Sequence, residues 1–165
     1  MNAHGSTPWL TRSGPASAAL AFVAVAVLGA AMGGPPVERQ KRAVAYTRLY
    51  ADQQGESHFA DTVMPLEMVE FAPPAQPILA SEFSAAQAYG FIRAAPGWVG
   101  EWHPTPTRQF LFYLSGDSEL EVSDGEVRHF RAGDILLVED TLGIGHVSRV
   151  VGNEDALAAV VQARE

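Results

Sequence analysis

Four turn signals at short intervals leave the second half of this chain little choice but to be β. Ser115-Gly116-Asp117, Asp124-Gly125, Ala132-Gly133-Asp134 and Gly152-Asn153-Glu154-Asp155 each favour a tight reversal. Gly, Asp and Asn tolerate the backbone angles that reversals need, and Asp-Gly is a strong two-residue hairpin signal. The short spacing of these turns favours strands between them. Glu119-Leu120-Glu121-Val122 alternates strictly, as a half-buried strand does, and Ile135 to Val138 is apolar throughout, as an inner strand is. Short strands repeated roughly every 8–12 residues argue for a β-sandwich or barrel.

The same reading extends upstream. Ala43 to Tyr50 alternates, and a turn rich in Asp, Gly and Ser follows it. His58 to Asp61 begins an extended piece that Met64 to Phe71 continues. Pro73, Pro74 and Pro77 forbid a central strand there, so irregular chain lying along a sheet edge is expected. Gln87 to Ala94 is a further strand, with Tyr89, Phe91 and Arg93 on one face. Phe110 to Leu114, Val127 to Phe130, Val147 to Val151 and Ala156 to Gln162 complete the set. The final segment is rich in alanine and would tolerate a helix, but the turn spacing favours a strand.

Ahead of this domain, residues 1–42 read as a leader, signal-like or disordered. Its apolar run, Ala18 to Met32, is shorter than a comfortable membrane span of about 20 residues. It matches the centre of a secretory signal, with Arg12 before it and small residues near Gly29 to Ala31. The basic cluster Glu38 to Arg42 that follows opposes export, so a cytoplasmic location is expected over export. Gly33-Gly34-Pro35-Pro36 marks the boundary. The net charge of −8 disfavours nucleic acid as a partner. With no cysteine, disulfides and thiolate chemistry are excluded. Lys41 is the single lysine and sits in the flanking charge cluster, which argues against Schiff-base chemistry.

Two histidines frame the strand meander. His103 lies in Trp102-His103-Pro104-Thr105-Pro106, and His146 closes Gly143-Ile144-Gly145-His146, where the glycines make a flexible approach. Folding brings them together as a polar site in the mouth of a barrel. This stretch resembles the cupin superfamily. Gly97, His103, Gln109 and Gly116 fall on its first motif, and Gly133-Asp134 with His146 on its second. Thr105 takes the place of a second histidine, Gln109 that of a glutamate and Val150 that of an asparagine. The resemblance covers Ala43 onward and implies an all-β, cupin-type jelly-roll barrel over residues 43–165.

It also implies a small-molecule enzyme of dioxygenase, isomerase, decarboxylase, lyase or cyclase type. His103, Gln109 and His146 would hold a divalent Fe, Zn, Mn or Ni ion, or act without metal as acid and base. A metal-free pocket in which His103 and Gln109 bond each other and water stays open. So does a non-catalytic ligand-binding module, which the replacements at Thr105 and Val150 favour. Substrate contacts are expected from Arg93 if its face is interior, from Trp102 at the mouth and from Tyr113, which shares parity with Gln109. Plainer roles are a surface arginine, a rim indole and a core tyrosine. Glu139 and Asp140 could supply a carboxylate but are more often a solvated turn. His58 and His129 read as structural or exposed, and His4 falls in the leader. The family implies a homodimer, with Ala43 to Phe71 across the interface.

Overall fold

The computed structural model describes residues 42–164; the leader expected over residues 1–42 lies, but for Arg42, outside them. Eleven strands and no helix make up the described residues. Strands β1 (Ala43–Ala51) and β2 (Ser57–Pro65) form a hairpin, and β3 (Glu67–Val69) and β4 (Ile78–Ala80) a second, small one. Then follow β5 (Ala86–Ala94), β6 (Gln109–Ser115), β7 (Asp117–Val122), β8 (Val127–Arg131), β9 (Ile135–Val138), β10 (His146–Val151) and β11 (Ala156–Ala163). The wide sheet runs β2-β1-β9-β6-β11-β5, and a three-stranded sheet runs β10-β7-β8.

The pairing is nested. β6 pairs with β11, and β7 with β10, all antiparallel. The innermost link is the turn at Gly133, where the chain passes from β8 in one sheet to β9 in the other. A hairpin folded over so that its outer strands pair around its inner ones is a jelly roll. Period-2 alternation then sorts each strand into an inward and an outward row. Leu49, Leu136 and Val138 of the wide sheet meet Leu120, Val122 and Phe130 of the narrow one in the core. Tyr113 stacks on Phe130 with ring centroids 5.4 Å apart, and Phe59 approaches the same ring at 6.0 Å.

Two local expectations change. The extended piece from His58 to Phe71 is broken after Pro65, and strand resumes at Glu67. The proline-rich stretch is bracketed by paired chain, with Val69 opposite Ile78, so the prolines occupy the loop of a hairpin. Pro73–Pro74 is a cis peptide bond. The prolines do stay out of the strands, as the missing N–H requires.

Candidate functional site

His103 and His146 face each other as a cross-strand pair. Each donates its backbone N–H to the other's carbonyl, at 3.1 and 3.0 Å. Opposed residues carry their side chains on the same face, and the two imidazole centroids lie 5.0 Å apart. Gly145 makes this approach possible. Its φ is +80°, and a Cβ there would run into the backbone carbonyl of His103 and the nitrogen of Pro104. Gly143 likewise lies flat on Gly55 of the β1–β2 turn. The glycines therefore provide close backbone contact where a flexible approach was expected.

Both rings are fixed in tautomer. Nδ1 of His103 donates to the carbonyl of Glu101 at 2.7 Å, and a carbonyl can only accept. Nδ1 of His146 donates to Oδ2 of Asp140 at 2.7 Å. Asp140 is fully buried and its Oδ1 has no hydrogen-bond partner. Its own carbonyl accepts from the N–H of Thr105, which holds the β9–β10 loop against the strand of His103. This corrects the expectation of a solvated turn for Asp140: chain 35 residues upstream covers it. Glu139, its neighbour, takes both Arg48 and Arg108.

His103 and His146 both line a cavity of about 460 Å³ between the sheets. That is ordinary for a small-molecule site. Gln109 joins them there; its Nε2 donates to the Thr105 hydroxyl at 3.2 Å, and that hydroxyl donates on to the carbonyl of Thr107. No hydrogen bond to Oε1 of Gln109 occurs among the described residues. Past this polar end the walls are apolar, formed by Leu111, Leu120, Val138, Val150 and Ala158. Ser148 and Val150 line the cavity with His146, as alternation along β10 predicts.

The expected substrate contacts fare unequally. Tyr113 lines the cavity within the core, and burial pushes its phenol well above the ordinary tyrosine value, with the Asp134 carboxylate adding to the effect. It is therefore a protonated donor at neutral pH. Arg93 stands at the cavity edge, largely exposed, with its guanidinium on Asp155 at 3.1 Å. Parity grouped Tyr89, Phe91 and Arg93 correctly, but the inward parity of β5 is that of Ile92 and Ala94, both of which line the cavity. Trp102 is half-exposed and lies outside the cavity lining, whereas Trp98 is part of it. Adjacent residues in extended chain point opposite ways, so Trp102 turns out where His103 turns in.

A second group of ligand-type side chains sits on the β1–β2 turn. One carboxylate oxygen each of Asp52 and Glu56 and a ring nitrogen of His58 lie within 4.8 Å of one another. The other His58 nitrogen, Nδ1, bonds Oδ2 of Asp124 at 2.6 Å. His58 is thus held between carboxylates of two turns, which its sequence neighbours alone do not reveal. Its hydrogen bond to Asp124 raises its pKa above the ordinary imidazole value, and Asp52 adds to this. A raised folded value means the pairing stabilises the fold fully below about pH 6.5 and fades as pH climbs through the higher folded value. Asp52 and Asp124 are held low, first by the N–H groups of Glu56 and Glu126 respectively, so their share is lost on acidification instead. A melting series from pH 5 to about 9 is expected to show the wild type losing Tm relative to His58→Gln. Parallel curves for the two would count against the pairing.

No sequence-family model matches the chain, and no curated protein sequence matches it at a significant level. Solved structures do match. A cupin 2 conserved-barrel protein from Salinispora arenicola is 20% identical, over 61% of this chain and 76% of its own, with a TM-score of 0.39. The Schizosaccharomyces pombe Cnp3 cupin domain is 12% identical, over 75% and 85%, at 0.40. An RmlC-like cupin from Shewanella frigidimarina is 18% identical, over 72% and 86%, at 0.37. The chain's own nested strand pairing is that of a jelly roll, and these solved structures are described as cupins.

Proposed function

We propose that the chain is a small-molecule enzyme of the cupin kind, with its reacting centre at the paired imidazoles. One observation supports this: both rings have Nδ1 committed, to Glu101 and to Asp140, and both residues line the cavity. A ring so held keeps its other nitrogen, Nε2, in one orientation. The Asp140–His146 pair has the form that strengthens an imidazole as base or as ligand. The ligand's polar end lies against the two Nε2 atoms and Gln109, and its apolar body against Leu111, Leu120 and Val138. Nε2 of His146 takes a proton from the ligand and returns it, while Asp140 steadies the cation so formed. Tyr113, protonated, donates a hydrogen bond to oxygen that gains charge.

The donor set also fits a divalent ion. Two imidazole nitrogens and the Gln109 amide oxygen suit Zn, Fe, Mn or Ni, and Asp140 stands behind His146 as such ligands' partners commonly do. A bound ion would act there as a Lewis acid on a ligand carbonyl or activate oxygen. The absence of a carboxylate among the three donors favours a second reading, a non-catalytic module that holds its small molecule at the same imidazoles.

A screen of small carbonyl compounds in deuterated buffer separates these readings. The enzyme reading expects solvent deuterium to enter a bound ligand, or turnover of it, lost in His146→Ala. Saturable binding with neither exchange nor turnover, with and without Mn, Fe, Ni or Zn, favours the module. Tyr113→Phe is expected to change stability by under about 1 kcal/mol and to weaken ligand binding roughly tenfold, since it removes only a donor. Unchanged binding would take Tyr113 out of the site.

A further inference from the structure

The cavity between the sheets holds its charges already matched. Arg93 on its lining is taken by Asp155 at 3.1 Å, and Arg149 by Glu119 and Glu121 at 2.8 and 2.6 Å. His146 has the fully buried Asp140 carboxylate on Nδ1. An anion that met the His146 ring would lie about one imidazole width from a second negative charge, in surroundings of low dielectric. Thr105, Gln109, Ser118 and Ser148 add polar groups without charge. The hydrogen-bond roles point the same way. His103 and His146 both donate from Nδ1, so the neutral form of each ring accepts at Nε2. A carboxylate ion has acceptors alone and cannot satisfy them, whereas a hydroxyl or an amide N–H can. Burying an ion without partners also costs far more than burying a hydrogen-bonded neutral group.

A flat wall adds shape to this chemistry. Trp98 lines the cavity, yet 46% of it is exposed. Its backbone is held on both sides: the N–H donates to the carbonyl of Ala95 at 3.0 Å, and the carbonyl accepts from the N–H of Val150 at 2.8 Å. Its six-membered ring lies against Gly100, where an added Cβ would come within 3.0 Å of Cη2. The indole is thus a flat apolar surface carried on fixed chain and left partly uncovered. Space between two sheets packed face to face is narrow across them, and an indole in such a slot gains most from a flat neighbour.

We propose, on the reading that this cavity is the reacting site, that it takes an uncharged carbonyl compound with an O–H or N–H donor and a flat, conjugated body. The polar end lies at His103, Gln109 and His146, and the body lies along Trp98. The Asp140–His146 pair selects against acids. Trp98 selects for flatness.

Three amphiphiles of nearly equal size test this by calorimetric titration into the full-length protein as purified: cinnamamide, cinnamate and 3-cyclohexylpropanamide. Cinnamamide is expected to bind at least about 30-fold more tightly than cinnamate, since the acid leaves a charge and two acceptors unmatched. It is expected to bind about 3–10-fold more tightly than the cyclohexyl amide, the usual worth of an aromatic contact. Trp98→Leu should erase the preference for the flat amide and keep the preference for amide over acid, a split that general damage to the fold would not produce. Trp102→Leu, outside the cavity, should leave both preferences unchanged. Cinnamate binding as tightly as cinnamamide overturns the proposal even where solvent deuterium enters other ligands at His146, so the ligand class and the reaction fail separately. Selective binding of cinnamamide in a protein that exchanges nothing upholds the ligand class and removes the enzyme reading. Failure of all three to saturate at millimolar concentration, or a Trp98→Leu variant that still prefers the flat amide, also overturns it.

Discussion

Gly145→Ala is expected to destabilise the fold by about 4 kcal/mol and to abolish ligand binding at the paired histidines. Three costs meet at this position. A side chain at φ +80° is strained, by about 1–2 kcal/mol. The new Cβ meets backbone, the carbonyl of His103 and the nitrogen of Pro104, which cannot rotate out of the way. Moving them apart breaks the two reciprocal hydrogen bonds of the His103–His146 bridge, worth about 1 kcal/mol each. The Ser57 hydroxyl, which donates to the Gly145 carbonyl at 2.6 Å within the buried interior, leaves no slack on the other side. Gly97→Ala separates strain from collision. Gly97 has nearly the same φ, +77°, but open space where the Cβ would go. It should cost only the strain. Thermal melting of the two variants checks the argument: roughly 10 °C or more lost for Gly145→Ala and a few degrees for Gly97→Ala. Equal losses would mean that the loop gives way and that close approach does not organise the site.

The contrast between those glycines shows what a sequence can and cannot say. Asp124-Gly125 and Gly133-Asp134 mark the turns into and out of β8 because turn chemistry is local, and the strands stand where those signals put them. Alternation is local too, and Gln109, Leu111 and Tyr113 share the cavity side as their spacing implies. Which face is inward is a tertiary matter. Tyr89, Phe91 and Arg93 share a face, but the exposed one, because β5 pairs with β11 so that Ile92 looks in. The β3–β4 hairpin was hidden for a related reason: the prolines between its strands announce only that they themselves cannot pair.

In the site, His103 and His146 were legible because two histidines at the ends of a meander are brought level by its folding. Asp140 was visible only as one of two acids in a loop. Its neighbour Glu139 is the one that pairs with surface arginines, and nothing in Glu139-Asp140 says which carboxylate goes inside. That is decided by Thr105, whose N–H pins the carbonyl of Asp140, and by the imidazole waiting at His146. His58 belongs with this case, since Asp52 and Asp124 reach it from separate turns.

Asp140→Ala is expected to lower affinity at the site by about 10–100-fold, the usual effect of losing the partner behind a ligating or basic histidine. It removes the acceptor of a buried Nδ1–H, and an unpaired buried donor costs about 1–3 kcal/mol. The His146 ring is then free to turn or to change tautomer, and Nε2 no longer has a fixed direction. Asp140→Asn divides the effect. The amide oxygen can still accept from Nδ1, so orientation survives, but the negative charge that steadies a protonated His146 is gone. If His146 only orients or ligates, Asn should bind nearly as well as Asp. If it moves a proton, Asn should bind well and exchange or turn over ligand slowly, with a pH profile displaced from the wild type. At the Oδ1 position, which is buried without a partner, the Asn amide N–H is an unpaired donor, so the variant also loses about 1–3 kcal/mol of stability, which a melting curve reads separately from exchange. Full activity in Asp140→Asn would remove the proton-transfer role from His146 while leaving its place in the cavity intact.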